Sequence, residues 1–468
     1  MGEKLQKRLG KQIDSTEGSL IKSLFQLSWP IILSNLMQMT YNIVDTIWVG
    51  RVGAKSVAAI SLSFPIVFVL LSLGIGFTIA GTTLVAQYTG ANEKEKVNHV
   101  VGQIFSFVLS IALFCSIIGI IFTPNFLKWM GASKQVLPLA VNYMRILFFG
   151  MSFMFVFFIF SALLRGNGNS ITPMKLMFVS TLINLVLDPF LIFGISFFPE
   201  LGVSGAAVAT VFSRAIVALL SIYFLWKGTY GLNLKWKHLK FDFKLIKEII
   251  NLGAPAAIEQ STRGLGMTAM MSIVAHFGTM TVAAFGICTR VLSLVIMPSR
   301  GFSTATTTMV GQNLGANKIN RAEKSAYLST GLNFILLSTL GVAFFTVPQL
   351  IIKIFNNNPE VVKIGSSFMQ INGLFFGFMG VLIVINGGFR GAGNTLSAMF
   401  FSIFSLWIIR IPLANILSKV FGWGATGIWW SFVVSNVAGS LTAILWFKRG
   451  HWKKNIINKE EKTVKPYK

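Results

Sequence analysis

Apolar stretches separated by short polar turns run almost without pause from residue 24 to residue 447. A helix needs about 20 apolar residues to cross roughly 30 Å of hydrocarbon. On that measure the chain predicts twelve spans, near 24–48, 57–82, 98–123, 137–163, 173–197, 204–226, 247–275, 281–309, 323–348, 363–387, 396–418 and 426–447. They divide six and six because the chain repeats itself 225 residues on. Leu84-Val-Ala-Gln87-Tyr-Thr-Gly90-Ala91-Asn92 returns as Met309-Val-Gly-Gln312-Asn-Leu-Gly315-Ala316-Asn317. Arg165-Gly166-Asn-Gly168-Asn169 returns as Arg390-Gly391-Ala-Gly393-Asn394, and Pro30 has Pro255 at the same offset. An all-α membrane protein follows, with two six-helix lobes. An even number of spans per repeat brings both lobes in from the same side, so a pseudo-two-fold axis along the membrane normal relates them, and the cleft between such lobes is the usual place for a substrate. The expected layout is a cytoplasmic tail at 1–19, an N-lobe at 20–226, a cytoplasmic linker at 227–246, a C-lobe at 247–447 and a basic tail at 448–468.

Composition agrees, with 54% hydrophobic and 12% charged residues against about 25% charged in soluble domains. The net charge of +25 does not indicate nucleic acid, because the basic residues follow the membrane. The two tails and the even-numbered loops, with the span edges beside them, hold 27 of the 40 Lys and Arg, and the odd-numbered loops with theirs hold 7. By the positive-inside rule both termini are cytoplasmic. Lys235, Lys237, Lys240, Lys244 and Lys247, and the tail from Lys448, suit anionic headgroups. Cys115 and Cys288 lie in separate spans, and the four histidines have no zinc-site spacing. No metal centre or nucleophile with a base is indicated, so an intramembrane enzyme is not expected.

Three of the fifteen acids fall well inside spans, away from their edges: Asp45, Asp188 and Glu259. An ionisable group at mid-membrane costs about 2.5 to 3.5 kcal/mol on insertion scales, so it faces a cavity or a partner. Gln38, Tyr41, Asn42 and Asp45 form one helical stripe on the first span. Asn184 and Asp188 are one turn apart on the fifth, and Pro189 leaves the carbonyl of Leu185 without its amide donor. Carboxylate, amide and free carbonyl together suit either Na+, held at Asp45, Asn184 and Asp188, or a proton. Glu259 has Arg263 one turn on, so self-neutralisation and transport both remain open. By the repeat, Asp45 corresponds to Met270, and Asp188 to a residue near Ile411 or Pro412. The acid pair therefore belongs to the first lobe alone. Arg145, Arg214, Arg263, Arg290, Arg300 and Arg410 also lie within spans, and Arg145, Arg290 and Arg300 have no role in this scheme. The repeated Gly- and Asn-rich loops read as sharp turns.

The doubled Gln-x-x-Gly-Ala-Asn and Arg-Gly-x-Gly-Asn, with Gly53-Ala-Lys-Ser56-Val-Ala-Ala59 and the Pro30 region, resemble the multidrug and toxic compound extrusion (MATE) family over roughly residues 20–447. The first-lobe acids are similar to those of its DinF-type branch. The resemblance implies that Asp45, Tyr41, Asn184 and Asp188 form a coupling-ion site, completed by Thr210, with Tyr143 lining the cavity. The NorM-type branch uses acids on the seventh and tenth spans; Glu259 matches the first, and the tenth span has none. The implied function is an antiporter in a prokaryotic cell membrane, expelling amphipathic, often cationic, organic compounds in exchange for inward H+ or Na+. Gln38, Asn42, Tyr143, Glu259 and Met270 would line the substrate cavity. No cofactor beyond the coupling ion and no partner beyond substrates and lipids is expected, and the chain is expected to act as a monomer. The alternative is a flippase for a lipid-linked sugar, a related fold with a cationic cavity, which Arg145, Arg290 and Arg300 would suit.

Overall fold

A computed structural model describes residues 12–196, 198–453 and 456–457. All regular structure among them is helical, and the long helices follow the apolar runs. In the first half these are α1 (Leu20–Val52), α2 (Ala54–Gly90), α3 (Lys94–Trp129), α4 (Leu137–Gly166), α5 (Ile171–Phe193) and α6 (Val203–Lys227). The second half repeats them as α7 (Phe243–Ala275), α8 (Thr279–Val295 continued by Met297–Gly315), α9 (Ile319–Thr346), α10 (Pro359–Gly373 and Phe376–Gly391), α11 (Thr395–Val420) and α12 (Ala425–Lys448). The two parts of α10 meet at a 59° bend. Among the described residues nine helices are long and apolar enough to cross a membrane, or ten with the bent pair. The two that fall short are α1 and α7, one at the start of each half. They carry the polar row and the Glu259–Arg263 pair, and such residues lower a helix's own preference for hydrocarbon.

The chain forms two compact units, and their boundaries fall inside these same two helices rather than in the linker. The first unit contains Trp29–Ala257 together with Gln12 and Ile13; the second contains Asp14–Ser28 and the chain from Ile258. Each boundary lies within three residues of a proline, Pro30 in α1 and Pro255 in α7. Proline supplies no N–H, so the helix lacks its hydrogen bond to Gln26 in one case and to Asn251 in the other.

Close helix contact in the first unit rests on small residues, as in membrane bundles generally. Gly74 of α2 lies against Phe155 of α4, and Gly150 of α4 against Val211 of α6. The second unit's core is aromatic: Phe285 stacks on Trp429 at 5.9 Å, and Phe368 meets Trp429 edge-on at 5.0 Å. Outside the helices, the repeated motifs make the turns their residues favour. Asn92 and Asn317 both take left-handed backbone, with φ of 59° and 58°. In the first unit, Ile13 bonds to the carbonyl of Gly168 at 3.0 Å. Gly168 has φ +86°, and a Cβ there would strike the Ile13 carbonyl. In the second unit, Gln312 accepts from the Ser15 hydroxyl at 2.7 Å, while Arg321 donates to the carbonyls of Ser15, Glu17 and Gly18.

The linker is pinned to α3. Gln103 donates to the carbonyls of His238 and Lys240 and accepts from the amide of Asp242. Asp242 also holds the start of α7 by accepting from the amides of Lys244 and Leu245. His99 Nε2 lies 3.0 Å from its carboxylate. That hydrogen bond, aided by the two amides, keeps the Asp242 carboxyl below the ordinary range.

Candidate functional site

The stripe on α1 meets α5 and α6 in the first unit. Tyr41, 8% exposed, shares a hydrogen bond between its hydroxyl and that of Thr210 on α6. One turn beyond Thr210, Arg214 donates to Gln38 of α1 and to the sulfur of Met177, its guanidinium 5.5 Å from the centre of the Tyr41 ring. On α5, Asn184 Nδ2 donates to Asp188 Oδ1 at 3.0 Å, and Asp188 is completely buried. Asp45 is half-buried on α1, within electrostatic reach of Asp188. Tyr143 of α4 lies within the same reach of both acids and packs on the cluster of Val49, Ile192 and Val203. The structure thus gathers Tyr41, Asp45, Tyr143, Asn184, Asp188 and Thr210 in one place. Gln38 and Asn42 hydrogen-bond each other at 3.2 Å along the stripe.

Two oxygens in this site, Asp45 Oδ1 and Asp188 Oδ2, are buried and accept no hydrogen bond among the described residues. Buried acceptors are nearly always satisfied, and a carboxylate left bare is costly. A proton or a bound cation is what such an oxygen lacks, and the two acids lie within electrostatic reach of each other and of Tyr41. Arg214 is the cation beside Tyr41, and sequence reasoning, which named it among the arginines within spans, left it out of the site. Its signal was the i, i+4 spacing from Thr210.

The second unit treats its acid differently. Glu259 is completely buried and its Oε1 accepts from Arg263 at 2.8 Å, Arg390 at 2.6 Å and Ser402 at 2.7 Å. Of the two readings open for Glu259, the geometry gives the ion pair, with Arg390 as a second partner, while its buried Oε2 accepts no hydrogen bond among the described residues. Met270, expected in the substrate cavity, is 1% exposed within the apolar core around Ile273, Val291 and Phe376. An apolar side chain opposite Asp45 has no reason to stay wet, and it packs inward.

The second-lobe counterpart of Asp188 also moves. Leu201 and Gly202 donate to the carbonyls of Leu191 and Ile192, and Trp423 and Gly424 donate in the same way to Leu417 and Ser418. Leu191 therefore matches Leu417, an offset of 226 where Met174 and Met399 stand 225 apart. α11 carries two π-helical segments, Phe404–Arg410 and Ile416–Val420. A π turn accommodates an inserted residue. Counting back from Leu417 sets Ala414, fully buried, opposite Asp188, rather than Ile411 or Pro412. It also sets Arg410 opposite Asn184. From the Gly202–Gly424 match, Asn436 stands opposite Arg214 and Phe432 opposite Thr210. Arg145, meanwhile, bonds the carbonyl of Ile120 at 3.3 Å and edges an apolar groove of about 500 Å³ between α4 and α6, with Phe149 and Phe212.

Comparison with known proteins agrees with this layout. The MatE family model matches residues 30–190 and 255–416, one segment in each half. A Bacillus subtilis protein named probable multidrug resistance protein YoeA is 33% identical over 434 residues, 92% of this chain and 94% of its own. A Shewanella oneidensis protein named FAD transporter is 28% identical over 412 residues, 85% of this chain and 88% of its own. The crystal structure of a MATE in complex with MaD3S has a TM-score of 0.88 at 24% identity, covering 94% of this chain and 98% of that one, and this likeness bears on the fold. With the family model matched in both halves and a one-third-identical relative along almost its whole length, the chain belongs to the MatE family of multi-pass membrane transporters, and it is not an enzyme.

Proposed function

We propose that the protein exports amphipathic organic compounds across a prokaryotic cell membrane by alternating access, in exchange for inward H+ or Na+. Both termini are cytoplasmic in this reading, and the chain works as a monomer without a cofactor. The observation that carries it is the pair of bare buried carboxylate oxygens at Asp45 and Asp188, on two different helices. Two bare acids within electrostatic reach of each other favour taking up a proton or a small cation. Exchange then requires the ion and the cargo to favour different conformations, because a ligand indifferent to the two states shifts nothing. The relatives' names support drug export. One relative is named for FAD, so membership of the family leaves the cargo open.

Dye efflux from proteoliposomes, with a pH gradient and a Na+ gradient imposed in separate experiments, tests the proposal. Efflux driven by one of them is expected. Efflux indifferent to both would remove the coupling site.

A further inference from the structure

At the positions that answer the acid site, the second lobe has arginines. Arg263 stands where the first lobe has Gln38, and Arg410 where it has Asn184. Arg300 of α8 joins them: Arg263 is within electrostatic reach of both Arg300 and Arg410. All three sit deep in the spans. At 1.5 Å per residue, Arg263 is about 18 Å from the nearer end of its predicted span, Arg300 about 14 Å and Arg410 about 12 Å. Snorkelling serves residues near helix ends, not at these depths. Nor does an acid neutralise the group. The acid paired with the group is Glu259, which Arg263 shares with Arg390, so it offsets one of the three charges at most. Arg410 is held by neutral groups, Nε to Ser435 Oγ at 2.8 Å and Nη2 to Asn436 Oδ1 at 2.7 Å, with its guanidinium 4.3 Å from the Phe432 ring centre. The Arg300 side chain is exposed and makes no hydrogen bond among the described residues.

We infer that Arg263, Arg300 and Arg410 form an anion-binding site that takes the carboxylate or phosphate of the exported amphipath. Guanidiniums within a membrane span, two of them repelled by a third, are costly unless something of opposite charge visits them. A guanidinium fixed by side-chain hydrogen bonds and ring stacking presents its remaining N–H groups as a ready fork for a carboxylate or phosphate. Arg410 is pre-set in this way, Arg300 is free to close on the ligand, and Arg263 anchors the pair to Glu259. The cargo class is thereby narrowed to amphipaths carrying an acidic group, zwitterions included. The term exported rests on the reading above, and the binding site does not.

The test uses the full chain in phosphatidylcholine nanodiscs, with empty discs subtracted, titrated with pyrenebutyrate and with its neutral methyl ester. The acid is expected to bind about tenfold more tightly than the ester, the worth of one charge-assisted hydrogen bond. Arg410→Gln should remove that preference and Arg410→Lys should keep most of it. Should Arg410→Gln fail to fold, Arg300→Gln, which breaks no hydrogen bond, gives the same reading. Equal affinity of the wild type for acid and ester overturns the site, whatever transport shows. A preference that persists while no gradient drives efflux leaves the site standing and removes the export reading alone. Repeating the titration in phosphatidylglycerol discs separates the sources: an unchanged preference supports cargo, and its loss assigns the arginines to lipid headgroups and overturns the cargo proposal.

Discussion

Where α1 offers Gln38, Tyr41 and Asp45, α7 offers Arg263, Gly266 and Met270; where α5 offers Asn184 and Asp188, α11 offers Arg410 and Ala414. With the neighbouring helices, the first lobe thus sets Asp45 and Asp188 near Arg214, and the second sets Glu259 with Arg263 and Arg390, near Arg300 and Arg410. In the first, carboxylate oxygens are left bare while the arginine is engaged by Gln38. In the second, the acid is tied on Oε1 by two arginines and a serine with only Oε2 left bare, while Arg300 makes no hydrogen bond among the described residues. A repeat therefore conserves packing more readily than charge. Once the backbone frame is duplicated, a few side chains give each copy its own chemistry.

Experiments that erase the difference should act in descending order. Neutralising the first-lobe pair, Asp188→Asn or Asp45→Asn, is expected to reduce gradient-driven dye efflux to that of empty liposomes while the thermal midpoint stays near wild type; full efflux by either variant would detach the acids from coupling. Glu259→Gln should do the reverse. It removes the charge that Arg263 and Arg390 share, and breaking a buried ion pair costs about 3 kcal/mol or more, so the loss should appear in thermal stability and yield. Tyr41→Phe removes one hydrogen bond to Thr210, worth about 1 kcal/mol, and is expected to slow efflux modestly and shift its pH dependence; an unshifted profile would mean that Tyr41 does not touch the ion.

The smallest effect lies at the linker. The Asp242 carboxyl titrates below its unfolded value of about 3.9, so its contribution is complete above that pH and is lost as pH falls through the lower folded value. Hydrogen exchange of the linker amides should quicken in that acid window in the wild type. In Asp242→Asn the acid-dependent step should be absent.

Much of this was legible in the sequence wherever the signal was local. Asn184 with Asp188 and Glu259 with Arg263 are one-turn pairs on a single helix, and both are hydrogen-bonded. The twelve runs follow from a length requirement. Contacts joining distant helices were out of reach: Gln38 to Arg214 spans 176 residues and Glu259 to Arg390 spans 131. Arg390 was hidden further by sitting in a repeated motif whose glycines explain a turn without it. The counterpart of Asp188 was misplaced because π turns shift register without any mark in composition. Met270 shows the limit of transferring a role by repeat: the position carried over, and its polarity did not.

The unit boundaries at Ser28 and Ala257 bear on how the chain is assembled. Leu20–Ser28 is first-half sequence built into the second unit, where Phe25 meets Phe302 at 6.0 Å. Phe243–Ala257 is second-half sequence built into the first, where Gly253 fits against Phe77 and Ala257 against Gly76. The two halves have traded helix arms, a domain swap within one polypeptide. A gene cut between Gly228 and Gly231 would yield two fragments, each missing an arm that the other supplies. Neither is complete alone, and co-expressed fragments are expected to purify together.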